Sequence, residues 1–363
     1  MENNNNNNNN NNSNNGNNKL AIVMVVVVVL LAVLAVMIAF VLADKKVKKD
    51  KTDEQAVTSE VDDGIASEEA IEEGESRQVE LDDGTALELA SNETYFSGLV
   101  YTVDKESKTA TVSHPVDYEM TDLELPDEVE LNGDKYKLVA VGSSALSGLD
   151  NLKTVKLGNN IEVLYEEAFY ADAAIESFTC NDSLVSIGAN ALAYLEALKT
   201  INLNEGLETI DNEAFCGDAA LTEITIPGTV ASIGSDVFMD CENLKTATIK
   251  EGVSSLGTGM FCNCYGLTSV SLPSSISELP DEFLYSCESM TGTYNISDNI
   301  KRIGMDALSG TNFSEVRVPR GLIDVDENTF GGIDDLKTLS VAASEKAKYE
   351  EMYEGYDYKI TSY

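Results

Sequence analysis

Residues 210–232 read IDNEAFCGDAALTEITIPGTVAS, and residues 233–255 read IGSDVFMDCENLKTATIKEGVSS. Placed one above the other, they share Ile at position 1, Phe at position 6, Leu at position 12 and an apolar pair at positions 15 and 17. The register extends both ways. Val141, Leu164, Ile187, Ile210, Ile233, Leu256 and Leu279 are each 23 residues apart, and the next steps, to Ile303 and Val325, are 24 and 22. Position 6 is a large apolar residue every time, from Leu146 and Phe169 through to Leu308 and Phe330. Position 12 carries Leu152, Ile175, Leu198, Leu221, Leu244, Leu267 and Met290.

Around position 15 the apolar spacing drops to two, as in Val155 with Leu157, Ile224 with Ile226 and Val270 with Leu272. That alternation marks a short strand with one buried face. Gly158, Asn181, Asn204, Pro227 or Pro273 then turns the chain. The segment after each anchor, such as EEAFYA (166–171) or SDVFMD (235–240), is predicted to form one or two helical turns on the opposite side. One strand per unit, at a period between 20 and 29 residues, means a leucine-rich-repeat solenoid. The fold class expected is an α/β solenoid, a right-handed coil of about nine 23-residue units.

The opening Ile-Gly, Ala-Phe, Cys, Leu and strand ending in Pro resemble the BspA-like leucine-rich repeats of bacterial and some protist surface proteins. The resemblance spans about 200 residues and implies surface exposure and adhesion or binding. A repeat scaffold hosts many partners, so it implies no particular ligand.

Outside the repeat the chain divides by composition. Residues 1–19 are an Asn-rich tail, too polar to bury a core and therefore expected to be disordered. Residues 20–43, from Leu20 to Ala43, contain no charge, and at ~1.5 Å per residue they are long enough to cross a bilayer as a single transmembrane helix. Val41, Leu42 and Ala43 also form a small-residue site where a signal peptidase would cut. Retained as a signal anchor, the helix ties the chain to the membrane; cut after Ala43, it releases it.

Residues 44–93 form an acidic linker: between Thr52 and Glu93 there are fifteen Asp or Glu and one base, Arg77. Residues 94–140 read as a β-rich cap, with GLVYTV and TATVSH as a hairpin and Asn132-Gly133 at a tight turn. The solenoid proper spans 141–342, and residues 343–363 close it with a short helix and a strand. Five lysines, Lys45, Lys46, Lys48, Lys49 and Lys51, follow the apolar run, and a literal positive-inside count puts the repeats in the cytoplasm. The family resemblance puts them outside, at the cell surface.

Sixty-three acids against 24 bases, a net charge of −39, exclude nucleic acid as a partner and disfavour a domain lying on anionic lipid. The single histidine, His114, precedes Pro115 in the cap with no nucleophile-elbow sequence anywhere, so no enzyme is read. Cys241, Cys264 and Cys287 share position 9, and Cys216 and Cys262 share position 7. Cysteine packs as a small hydrophobe, so a ladder of buried thiols is expected, with a disulfide between stacked coils as the alternative. Cys262-Asn263-Cys264 lacks two further ligands, so neither metal nor other cofactor is expected.

Positions 14 and 16 of each strand point away from the core. They include Ser177, Thr179, Thr200, Asn202, Thr225, Thr246, Thr248, Ser269 and Ser271, with Thr154, Lys156 and Glu223 in the same rows. This hydroxyl-rich, nearly neutral face on an acidic protein is the candidate binding face for a macromolecular ligand, either a protein or a glycan of a host or neighbouring cell. Threonine also suits an exposed strand for structural reasons alone, so a rigid spacer without a ligand is the competing reading. There is no Trp to stack on sugars; Tyr170, Tyr194, Tyr265 and Tyr285 on the turns are the aromatic substitutes.

Overall fold

The computed structural model describes residues 76–81, 84–323 and 328–363. The apolar run 20–43 and the tail before it lie outside these residues. Among the described residues no helix is long and apolar enough to cross a membrane.

The cap is a sheet that merges into the solenoid. Strands Glu93–Phe96, Leu99–Asp104 and Thr109–Pro115 run antiparallel. Asn132 and Gly133, both at positive φ, turn Glu128–Leu131 back onto Asp134–Val141, as the twist of a two-residue hairpin requires. Asp134–Val141 then pairs in parallel with Val163–Leu164, and Ser186–Ile187, Thr209–Ile210 and Ser232–Ile233 follow. The anchors of coils 1–5 thus sit in short strands of one sheet, Leu279 and Ile303 pair in a separate one, and Leu256 lies in none. A further hairpin, Arg77–Glu80 with Ala86–Leu89, occupies part of the stretch read from its charge as linker. Folded structure therefore starts before Thr94, not at it.

With coils numbered from their anchors, coil 1 begins at Val141 and coil 9 at Val325. The strands at positions 14–16 stack in parallel, 23 residues apart in register, as Thr246 against Ser269 and Thr248 against Ser271. The ladder starts one turn ahead of coil 1, where Asp122–Glu124 pairs with Thr154–Lys156. Every position-6 residue of the nine coils is fully buried. Phe215, Phe238 and Phe261 stack with ring centroids 5.3 and 5.7 Å apart.

The segment after each anchor is not helical, which corrects the α/β expectation: the coils are β and turn throughout. Position 4 is left-handed in coil after coil, with φ of 57° at Glu167, 54° at Asn190, 56° at Glu213 and 57° at Asp236. Position 8 is left-handed too, at Ala171, Tyr194, Gly217, Asp240 and Asn263. An α-helix needs φ near −63°, so two such residues four apart forbid one. The backbone is satisfied between coils instead. The N–H groups of Glu167, Phe169 and Ala171 donate to the carbonyls of Ala189, Ala191 and Ala193, and Glu213, Phe215 and Gly217 repeat the pattern on Ser235, Val237 and Met239. Among the described residues the one α-helix is Lys346–Met352. It precedes the strand Lys359–Ser362, which pairs with Thr338–Val341.

The glycine at position 2 follows from this close stacking. A Cβ on Gly188 would lie 2.8 Å from the backbone N of Glu166, and one on Gly234 would lie 2.3 Å from that of Asn212. The Ile-Gly opening is therefore a clearance between coils, where the chain passes nearest its neighbour.

Candidate functional site

All nine predicted face residues, Ser177 through Ser271, are solvent-exposed, while the residues between them, Phe178, Ile201, Ile224 and Ala247, are buried and Val270 is half-buried. The structure does not join them into one sheet. Thr225, Thr246, Thr248, Ser269 and Ser271 lie together on the three strands of coils 4–6, in direct register. Ser177 and Thr179 belong to a separate sheet with Thr154, Lys156, Asp122 and Glu124. Thr200 and Asn202 stand at the break between the two, where only one bridge, Thr200 to Glu223, is made. A cleft of about 290 Å³ opens there, with Asn202, Thr225, Pro227 and Lys250 in its walls. A second break, between coils 6 and 7, holds a cleft of about 330 Å³ bordered by Leu272, Pro273, Tyr294 and Asn295.

Within the nine predicted residues no side chain is hydrogen-bonded to another part of the described protein, so stacked hydroxyls do not satisfy one another. Their donors and acceptors face solvent. Ion pairs border the face, Lys156 with Glu124 and Arg317 with Asp298 towards its ends and Lys250 with Glu205 beside the central break. Tyr294 stacks on Phe313 with centroids 4.7 Å apart, and burial pushes its hydroxyl up to about 12. Tyr294, Pro227 and Lys250 were not singled out by sequence, because the clefts they border exist only where the stacking is interrupted.

The cysteines are free thiols. Cys241, Cys264 and Cys287 stack inside, and each S–H donates to the position-6 carbonyl of the preceding coil: Phe215, Phe238 and Phe261, at 3.3, 3.1 and 3.1 Å. Burial raises all three thiols above their ordinary range, and it brings Cys216 and Cys262 to about 11. A protonated, buried thiol is a poor nucleophile and a poor metal ligand. No group of three or more His, Cys, Asp or Glu converges on a metal-sized space among the described residues. His114 is exposed on a cap strand opposite Val100, away from the repeat.

Position 9 also carries two residues that sequence reasoning passed over. Asp172 and Asp218 are fully buried, and each Oδ1 accepts the N–H of the leucine one coil earlier, Leu149 at 2.6 Å and Leu195 at 2.8 Å. The second carboxyl oxygen of each has no partner. Burial lifts Asp172 to about 8 and Asp218 well above the carboxylate range. Reading position 9 as one column would have found them, since they share it with the cysteines.

The sequence profile of the BspA type leucine rich repeat region, in six copies, matches residues 127–245 and 208–337. The chain belongs to the BspA-type leucine-rich repeat family. The matched residues take in nearly all of the solenoid and the last cap strands, more than half of the chain. No curated protein matches it. Among solved structures, a leucine-rich repeat protein from Bacteroides ovatus is similar at 24% identity with a TM-score of 0.62, over 74% of this chain and 67% of that one. The T. pallidum leucine rich repeat protein aligns over 75% of this chain and all of that one, at 18% identity and a TM-score of 0.48. The Bacteroides structure shares the leucine-rich-repeat fold and, at that identity, speaks to the fold alone.

Proposed function

We propose that this BspA-type protein is a membrane-anchored, non-catalytic binding protein of the cell surface. Its solenoid presents the strand face to a macromolecular ligand, a protein or a glycan of a host or neighbouring cell. The observation that carries the reading is the set of exposed, uncommitted polar side chains in register on coils 4–6, nearly neutral on a chain of net charge −39. Side chains with unmet hydrogen-bonding capacity on a rigid, repeating backbone suit an extended partner, because little order remains to be imposed on binding. Leu20 to Ala43 supplies the anchor.

The compact unit Glu68–Tyr363 is expected to attach to target cells saturably and in competition with the unlabelled unit. Changing Thr179, Asn202, Thr225 and Thr248 together to lysine abolishes that attachment. Unchanged attachment moves the site off this face, and no saturable attachment by the parent unit leaves a spacer. The five lysines after Ala43 favour a second topology, with the solenoid in the cytoplasm as an interaction scaffold. Protease shaving of intact cells separates the two: release of the repeats with a cytoplasmic control intact places them outside, and protection until lysis places them within.

A further inference from the structure

The turn edge of the solenoid, on the side away from the strand face, has a different chemistry. In positions 1–12 of coils 2–7, leaving aside the buried Asp172 and Asp218, there are eleven Asp or Glu and not one Lys, Arg or His. Positions 13–23 of the same coils, through Arg302, hold eight acids and five bases. Charge is therefore segregated across the solenoid, and the turn edge takes most of the excess. The acids are also unneutralised. Among the described residues Glu213, Asp236, Asp240, Glu242, Glu282 and Glu288 form no ion pair, and Asp240 accepts only the amide of Asn263, at 2.9 Å.

Aromatic rings lie among these carboxylates. Tyr170 and Tyr194 meet edge to face with centroids 5.5 Å apart. The Tyr194 ring lies over Gly217, where a Cβ would come within 2.4 Å of a ring carbon; the glycine makes room for the ring. Further along, Tyr265 and Tyr285 are 41% and 39% exposed. Cys216 first and burial next raise the Tyr194 phenol, and desolvation first raises that of Tyr265; Asp240 adds to both, and Glu242 and Glu288 add to Tyr265. The carboxylates are strung along coils 2–5 and coil 7, on a stack whose neighbours lie about 5 Å apart, and do not converge on a point, so a single metal ion is not what they fit.

Rings with negative faces, flanked by unpaired carboxylates and spread over six coils, match a ligand with several cationic groups on a flexible backbone. An ammonium or guanidinium within about 6 Å of a tyrosine ring is held by the ring quadrupole, and the adjacent carboxylates neutralise it. We propose that the turn edge of coils 2–7 is a second binding surface, separate from the strand face, for an extended lysine- or arginine-rich polypeptide segment.

The test uses the full chain in detergent micelles and a fluorescent twelve-residue oligolysine, read by anisotropy at 0.15 M salt (roughly physiological ionic strength). Saturable binding is expected. Tyr265→Ser with Tyr285→Ser, which leaves the charge unchanged, lowers the affinity about tenfold, and Glu242→Gln with Glu288→Gln lowers it by a similar factor. Both pairs are exposed, and an unchanged circular dichroism spectrum confirms that the fold is kept. Replacing Glu68, Glu69, Glu72 and Glu73 by Gln, and the four lysine substitutions on the strand face, leave the affinity within about twofold. Three results overturn the proposal: no binding, equal affinity in the tyrosine pair (diffuse attraction to an acidic chain), or a loss caused by the linker substitutions. Binding that emerges only after Lys45, Lys46, Lys48, Lys49 and Lys51 are changed to Gln would also overturn it, since the occupant would then be the chain's own lysine segment.

Discussion

Coils 1–4 and coils 5–7 fill the same core positions differently. In the first four, Leu146 goes with Leu149, Phe169 with Asp172, Leu192 with Leu195 and Phe215 with Asp218. In the next two, Phe238 goes with Cys241 and Phe261 with Cys264, and in coil 7 Cys287 follows the adjacent pair Phe283 and Leu284. Through coil 6 a phenyl ring at position 6 is matched by a smaller residue at position 9, and a leucine by a leucine. Layer volume is held roughly constant, as dense packing requires. The polar chemistry differs as well. A carboxyl at position 9 accepts a backbone N–H from the coil before, whereas a thiol donates to a backbone carbonyl there. Thiols stack on thiols in consecutive coils. The two aspartates are kept two coils apart by Leu195, so that no two buried carboxyls are adjacent.

The largest expected consequence of that contrast is a dependence on pH that position 9 contributes only in the first set. Asp172 titrates near 3.8 when unfolded and near 8 in the fold. The folded state therefore holds a proton that the unfolded chain has released. Stability from this group is fully present below the unfolded value and is lost as pH rises toward 8, by about 1.4 kcal/mol per unit crossed. Asp218, raised in the same direction, adds to the slope. Asp172→Asn with Asp218→Asn keeps both acceptors and removes the titration. Urea midpoints from pH 4 to 9 should fall less steeply in the double variant, and parallel curves would refute the assignment.

Removing a ring from the uniform stack comes next. Phe238→Ala opens a gap between Phe215 and Phe261 and should cost about 3–5 kcal/mol, seen as a lower urea midpoint. A loss below 1 kcal/mol would mean that the coils slide together to fill the space. A smaller effect separates the two kinds of hydrogen bond. Asp218→Ala strips Leu195 N–H of its acceptor and should cost about 1–3 kcal/mol at pH 5. Cys264→Ala should cost only about 1 kcal/mol, because the Phe238 carbonyl still receives the Cys241 N–H at 3.3 Å. Equal losses at the two sites would erase the distinction.

The stacking register was legible in the sequence because it rests on side-chain burial, and burial leaves a period. Position 6 is buried in all nine coils for that reason. The turn conformation was not legible. The partners of the Glu167, Phe169 and Ala171 N–H groups lie more than twenty residues away, and apolar residues at positions 6, 9 and 12 imitate the spacing of a helix face. Alternation placed Thr200 and Asn202 on the outer face, where they are, yet it could not show that their strand breaks the sheet, since the neighbouring coils decide that. The hairpin at Arg77–Leu89 was hidden by charge counting. Asp83-Gly84, between Gln78-Val79 and Leu87, is a turn signal that a segment rich in acids does not cancel. The aspartates at position 9 were overlooked because acids were abundant everywhere, although only their column marks these two as buried.

The ladders that join successive coils at positions 4, 6 and 8 bear on how the solenoid would yield to force. Like those of the strand face, these bonds run across the strands, along the axis of stacking. Tension applied along that axis opens one interface at a time and does not shear many bonds together. Each coil released in this way exchanges about 5 Å of stack for roughly 75 Å of extended chain. Held at one end and loaded at the other, such a stack is a series of unequal fuses, and the interfaces that carry a buried carboxyl would be the first to go in alkaline surroundings.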